Sequence, residues 1–339
     1  MSKNSNIPAK SVNRIPLVSI IVPAFNASAY IENCVKSALS QTYENVEVVV
    51  VDDGSHDDTY SRAKRISRED SRCRVISQAN RGLSGARNAG LDEATGELVF
   101  FLDADDYIES DEIEHLVKAM NSHHADMAVG GLVYADLDGG IAREIRADPG
   151  LVDEYGFWRR AYIDSPCDYA EYVVACGKLF RRAVFLKERF DEGKLHEDEF
   201  IIHRIVMGRQ RIVFADVASY IYVQRDESIM HSETAQSYLD AAEAFLNRAR
   251  YFAEMGWWDL AYRALSNSKN HIAHAVSAHE DGRCDRRGRS SDLVKRWTEA
   301  YSLVRPHSSR TTKKTALGCV LFRLLPRIYC NFYEMIFHE

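Results

Sequence analysis

The chain has 339 residues, of which 46% are hydrophobic and 27% charged, the balance of a globular protein with a substantial core. That excludes a wholly disordered, collagen-like or disulfide-scaffold chain, and no apolar run approaches the ~20 uncharged residues of a membrane span. The N-terminal residues show no apolar secretory stretch. The seven cysteines, at 34, 73, 167, 176, 284, 319 and 330, form no C-x-x-C or zinc pattern, so the expected compartment is a reducing cytoplasm.

Net charge is −7 but uneven: residues 282–328 carry twelve Lys/Arg against three acids, a local +9 that leaves −16 on the remainder. An acidic body argues against nucleic acid as a partner. A basic C-terminal segment suits a local anionic contact, such as the inner face of a membrane.

Strand and helix signals alternate through the first 135 residues. An apolar run at 17–23 stops at Pro23, and helical spacing follows over 27–41. Residues 46–52 form a second apolar run, after which Asp57 or Asp58 can cap a helix. A short strand at 74–77 precedes a helix that Ser84 can cap, running to Ala94. Residues 97–103 form a fourth strand, Ser110 can cap a helix to about Asn121, and 126–134 reads as a fifth strand. Continuous Val/Ile/Phe runs fit strands covered on both faces, and the alternation predicts a mostly parallel sheet flanked by helices. From 140 to 230 the signals are less regular: a helical stretch near 153–163 ahead of GKLFRRAVF (177–185), an acidic cluster opening a helix at 192–206, and short strands at 212–216 and 219–224. Beyond 232 the pattern is helical, with a Gly/Arg-rich linker over 281–289.

Ligands in such sheets bind outside the carboxyl ends of the strands. Those ends read Pro-Ala-Phe-Asn (23–26), Asp-Asp-Gly-Ser (52–55), a Gly-rich loop at 78–84 and Asp-Ala-Asp-Asp (103–106). Asp103 and Asp105, two residues apart, can point the same way and suit Mg²⁺ or Mn²⁺ shared with phosphate and water; they equally suit a helix cap. Of Asp52 and Asp53, which end the second strand, either carboxylate can accept from a nucleobase or ribose, although Asp-Asp-Gly-Ser is also a turn sequence. The segment from Asn80 to Asn88 combines a helix start, which attracts phosphate, with Arg87 one turn in. In His196-Glu197-Asp198-Glu199, acids at a helix start are favoured by the dipole, and one of them can also serve as a general base.

Taken together, VSIIVPAFNASAYIENCVKSALSQTYENVEVVVVDDGSHDDT (18–59), NRGLSGARNAGLDEATGELVFFLDADD (80–106) and HEDEF (196–200) resemble a family 2 glycosyltransferase. The resemblance covers about residues 16–225 and is strong through 110. It implies a GT-A fold and inverting, metal-dependent transfer from a nucleotide-sugar, often a UDP-sugar, to a glycan or lipid-linked acceptor. Carried over by position, Pro23, Phe25 and Asn26 line the nucleoside pocket and Asp53 bonds the base. Gly82, Arg87 and Ala104 lie at the nucleotide. Asp103 and Asp105 form the D-x-D that holds Mn²⁺ or Mg²⁺, Asp105 being the direct ligand. Asp198 is the catalytic base with Glu197 beside it, and Arg225 with Ser228 belongs to a downstream phosphate-side element; His231 is a weaker candidate. Many members carry Tyr where this chain has Phe25, which removes a hydroxyl but keeps an apolar face. The alternative is a catalytically silent nucleotide-sugar-binding subunit; a nucleotidyltransferase would need a basic Gly-rich signature that Pro-Ala-Phe-Asn is not.

The expected organisation is a flexible 1–15, a catalytic domain over 16–230 (nucleotide-binding half 16–110, acceptor-binding half 111–230) and a helical 231–339 with a basic tail. Tyr238, Ala241, Ala242, Phe245, Ala249 and Phe252 share a helix face that packs on the catalytic domain or on a second copy. The apolar, basic segment 313–337 is expected either to dock on the protein or to lie on a membrane surface.

Overall fold

The computed structural model describes residues 15–137, 139–146, 148–165, 169–224, 234–277, 287–307 and 313–331. Strands β1 (Val18–Ala24), β2 (Val46–Asp52), β3 (Cys73–Ser77) and β4 (Leu98–Phe101) alternate with helices α1 (Ile31–Leu39), α2 (Thr59–Glu69) and α3 (Gly82–Glu93). After β5 (Tyr107–Ile108) come α4 (Glu112–His123), β6 (Met127–Val129), β7 (Leu132–Ala135), β8 (Ile141–Ile145) and β9 (Gly150–Val152). Then follow α5 (Glu154–Arg159), α6 (Tyr169–Val173), β10 (Lys178–Arg181), α7 (Glu197–Val206), β11 (Ile212–Phe214) and β12 (Tyr220–Val223). Helices α8 (Ala235–Glu254), α9 (Trp258–Ser277), α10 (Arg287–Val304), α11 (Lys313–Leu324) and α12 (Pro326–Asn331) complete the described chain.

The main sheet has the order β3-β2-β1-β4-β10-β6-β11-β9, and a smaller one has β5-β12-β7-β8. β3, β2, β1 and β4 run parallel, whereas β10 is antiparallel to both β4 and β6. Because side chains alternate across a strand, Ile20 and Phe100 face a core with α1 and α4, while Ile21 and Phe101 face the opposite one with α3 and α7. Neither face meets water, which is why these strands read as unbroken apolar runs. At Gly90 of α3 an added Cβ would lie 2.3 Å from Ile21 Cγ2, so the helix sits directly on β1.

The structure departs from the sequence reading at three places. Residues 126–134 are not one strand: Gly130 and Gly131 split them into β6 in the main sheet and β7 in the small one. The break is enforced by close approach, since a Cβ on Gly131 would lie 2.3 Å from the Ile145 carbonyl oxygen. Ser84 is not a cap but lies inside α3, with Arg81 at the cap position. Of the two acids expected to cap α2, it is Asp57 that accepts from the Thr59 N–H, at 3.0 Å, in keeping with the reading. Residues 287–289 of the expected linker are helical, because α10 begins at Arg287.

The core under α3 and α7 continues without interruption into α8, α9, α10 and α11. The expected face of α8 is inside it: Ala241, Ala242, Phe245, Ala249 and Phe252 are buried, with Tyr238 packed at the edge. Trp297 of α10 is buried, bonds the Leu265 carbonyl at 2.7 Å, and meets Phe322 of α11 edge-on at 4.8 Å. Cys319, Phe322, Tyr329 and Cys330 are buried, so the described part of the terminal segment docks on its own chain. Pro326 opens α12, two residues after the end of α11 at Leu324. Among the described residues no helix is long and apolar enough to cross a membrane.

Gly90→Ala should lower stability by about 1–3 kcal/mol, the cost of overpacking a filled contact. Denaturant melts of the two proteins test this; equal midpoints would show that α3 can move off β1 at no cost.

Candidate active site

At the carboxyl ends of β1, β2 and β4 lies a cleft of ≈ 310 Å³ lined by Pro23, Phe25, Asn26, Asp53, Gly82, Asp103, Ala104 and Asp105 among others. All eight are residues the sequence singled out. The loops that leave β1 and β2 are stitched together. Asn26 is in the left-handed region (φ 48), a conformation Asn tolerates, and its Oδ1 accepts the His56 N–H at 2.9 Å. The Asn26 N–H donates to Ser55 Oγ at 3.0 Å, and the Ala27 N–H to Thr59 Oγ1 at 2.7 Å. Phe25 stays 46% exposed, with its ring edge-on to His56 at 6.2 Å, an apolar surface held open at the rim.

The paired acids after β2 have separate tasks. Asp52 is spent on the turn, accepting from Ser77 Oγ at 3.0 Å. Asp53 faces the cleft, with Oδ1 taking the Gln78 amide at 2.7 Å and the Arg81 N–H at 2.9 Å. Among the described residues its Oδ2 takes no hydrogen bond, which leaves an acceptor for a ligand.

Arg87 lies beneath this cleft rather than on its wall. It is 1% exposed, and its guanidinium donates to Asp103 Oδ1 at 3.0 Å, Glu197 Oε1 at 2.8 Å and Asp198 Oδ1 at 2.9 Å. Its carbon centre sits 5.9 Å from the Phe101 ring and 5.2 Å from the Phe190 ring. The sequence reading had Arg87 adding charge to a diphosphate; here that charge is taken up by three carboxylates. With all three ionised the cluster carries −2. Burial raises the Asp198 carboxyl to about 7, helped by Glu197 and Asp103 and opposed by Arg87 and by the Ala175 backbone N–H.

The third acid of Asp-Ala-Asp-Asp is a strut. Asp106 is buried, accepts from Tyr220 Oη at 2.7 Å and from the Val223 N–H at 2.9 Å, and so fixes β12 to the end of β4. Tyr220 Oη in turn accepts the Asp103 N–H at 3.2 Å. Burial, then the adjacent Asp103, pushes the Asp106 carboxyl up to about 8. The sequence reading missed this strut and also Tyr222, which lines the cleft. The available signal was the alternation in β12, which puts Tyr220 and Tyr222 on one face, both against the core that holds Phe100. Arg225, Ser228 and His231 lie outside the described residues.

The donor set fits a hard divalent cation. Asp103 and Asp105 both line the cleft, and among the described residues Asp103 Oδ2 takes no hydrogen bond or ion pair. No group of three His/Cys/Asp/Glu closes a full cage among those residues, so an ion held there must draw other ligands from phosphate or water. Two positive charges would also balance the −2 of the cluster below.

The arrangement defines a GT-A protein. The chain matches the crystal structure of S. aureus TarS 1–349 in complex with UDP-GlcNAc with a TM-score of 0.65, over 91% of this chain and 87% of that one, at 20% identity, a likeness of fold. The family model for glycosyl transferase family 2 matches residues 19–188. Glycosyltransferase GlyA of Streptococcus pneumoniae is 32% identical over 244 residues, 71% of this chain but 35% of GlyA. Glycosyltransferase GlyG of the same organism is 31% identical over 235 residues, 68% of this chain and 78% of GlyG. The chain spans about a third of the length of GlyA. It belongs to glycosyltransferase family 2.

Arg87→Met should cost about 3–5 kcal/mol, because it leaves three half-buried carboxylates crowded together without their cation. Arg87 stabilises Asp198 only when that carboxyl is ionised. The deficit should therefore be largest above pH 7 and shrink as Asp198 takes its proton below it. Melts of both proteins from pH 5 to 9 check the sign; a deficit independent of pH would show that the ion cluster does not set it.

Proposed function

We propose that the protein transfers a sugar from a nucleotide-sugar, a UDP-sugar in first place, to a hydroxyl of a glycan or lipid-linked acceptor, with inversion at the anomeric carbon. The observation that carries this reading is the guanidinium of Arg87, which holds Asp103 on the nucleotide side within one side chain of Asp198 and Glu197. One site thus contains a place for the departing diphosphate and a base for the incoming hydroxyl.

The ring of Phe25 offers a face for the nucleobase and Asp53 Oδ2 an acceptor for its N–H. The start of α3, whose Gly82 lines the cleft, would favour a diphosphate placed there. Asp103 and Asp105 would hold Mn²⁺ or Mg²⁺, which when bound supplies positive charge to the leaving diphosphate. TarS, of the same fold, was crystallised with UDP-GlcNAc, which supports the UDP assignment. Asp198 takes the proton of the acceptor hydroxyl as that oxygen attacks from the face opposite the diphosphate. A single displacement of this kind inverts the centre and needs no covalent nucleophile. Burial suits Asp198 to this work, since a carboxyl raised to about 7 is a stronger base than a solvated one and is still ionised in part near neutrality.

Purified protein is to be screened with UDP-, GDP- and TDP-sugars in Mn²⁺, Mg²⁺ or EDTA, reading release of the nucleoside diphosphate. The expected result is metal-dependent release from one nucleotide class. Tight binding with no release, even with acceptor extracts, would instead mark a silent binding subunit.

Asp198→Asn should lower kcat by roughly 10²–10⁴-fold, the usual worth of a positioned base, and retain donor binding. Full turnover by that variant removes Asp198 from the role. In the native protein kcat/KM should fall as pH drops below about 7, because protonated Asp198 cannot accept a proton. A rate flat from pH 5 to 8 would contradict that assignment.

A further inference from the structure

Helix α8 does more than cover the sheet. Its polar side chains converge on one turn, Lys194 to Glu199, which leads into α7 and carries Asp198. Arg248 of α8 is 0% exposed, and its Nη2 donates to the Glu199 carbonyl at 2.7 Å and pairs with Glu199 Oε2 at 2.8 Å. Its Nη1 donates to Tyr162 Oη at 3.2 Å and to Tyr169 Oη, and Tyr169 Oη donates to Glu199 Oε2 at 2.9 Å. The guanidinium lies 4.7 Å from the Trp158 ring, so it is fixed in plane as well as in position. Asp240, also 0% exposed, and Ser237, 8% exposed, take the other end of the turn.

Asp240 Oδ2 accepts the Leu195 N–H at 3.2 Å, and its Oδ1 faces Arg289 at 2.6 Å and Lys194 at 3.5 Å. Ser237 Oγ meets His196 Nε2 at 2.7 Å. His196 itself is left-handed, with φ 57, a conformation a non-glycine residue holds only when its surroundings impose it.

We propose that Arg248 and Asp240 are positioning residues for the transfer step. They fix the 194–199 turn from the side opposite Arg87, so that the Asp198 carboxylate meets the acceptor hydroxyl. Buried charge is a poor stabilising device compared with apolar packing, and every bond Arg248 makes to the backbone or acids goes to the residue next to Asp198. The inference rests on Asp198 being the base, and it places part of the control of chemistry in the helical region beyond residue 231.

The test uses the full chain and the variants Arg248→Met, Arg248→Lys, Asp240→Asn and Asp198→Asn. Turnover is read as UDP release from UDP-GlcNAc with Mn²⁺, UDP affinity by calorimetry, and backbone order by hydrogen exchange. Arg248→Met should lose kcat on the order of 100-fold, the effect of misplacing a reacting group by about 1 Å, with KM and UDP affinity held. Arg248→Lys should recover part of that loss, and exchange should quicken over 193–206 alone. The milder Arg248→Lys and Asp240→Asn variants decide the matter if Arg248→Met does not fold: a lowered kcat with native UDP affinity is expected of both. Native kcat in these variants, or loss of kcat, UDP affinity and protection together across the whole chain, overturns the inference. If Asp198→Asn keeps full turnover, the base assignment itself fails; if it is inactive while the Arg248 variants run at native rate, only the positioning role fails.

Discussion

The guanidinium of Arg87 is the contact on which the rest of the site depends. It joins the end of β4, through Asp103, to the start of α7, through Glu197 and Asp198, across 111 residues of sequence at the widest. Removing a guanidinium from water is expensive, and only close multiple pairing and apolar ring faces offset it. Both are present here, and the three acids outnumber the one cation. Burial chiefly raises Asp198 and the excess negative charge adds to it; the same excess makes a cation at Asp103 and Asp105 electrostatically welcome. A cluster built for stability alone would be neutral; this one leaves charge unbalanced where the cleft can reach it.

The sheet explains how such a cluster stays dry. Both faces of β1 and β4 are covered, one by α1 and α4 and the other by α3, α7 and the helices beyond 234. The C-terminal helices share one continuous core with the face that carries Arg87, so they are walls of the site. Part of the segment's surplus of Lys/Arg points inward: Arg289 pairs with Asp240 and Glu243, and Arg296 faces Glu243. The local charge asymmetry of the sequence is therefore partly an internal complementarity between α10 and α8.

The sequence made the first half of this architecture legible because its signals are local. β1, β2 and β4 are unbroken apolar runs ending in polar residues, and the strand-end rule alone selects the segments 23–26, 52–55 and 103–106, which hold Phe25, Asp53 and Asp103. What was not legible depends on partners distant in sequence. Whether Asp52 or Asp53 faces the cleft is decided by Ser77 and Gln78. The break at Gly130 and Gly131 is decided by the backbone of β8, and the inward turn of Arg87 by acids from α7. A glycine pair within an apolar run, and an arginine placed among alanines and glycines, are the local traces of those distant constraints.

The run Glu197-Asp198-Glu199 gains its meaning from helix geometry. Acids in a first turn are favoured by the helix dipole, so three in succession need no special reason to be there. Successive residues on a helix nevertheless point about 100° apart, and this chain answers the three acids with two buried cations. Glu197 and Asp198 turn toward Arg87 under the sheet, while Glu199 turns toward Arg248 on α8. Held from two sides, the turn cannot rotate without breaking a buried pair. A flexible acid at a helix end would meet an acceptor in many orientations, whereas this clamp leaves Asp198 few, and the left-handed backbone of His196 is the local strain that accompanies it.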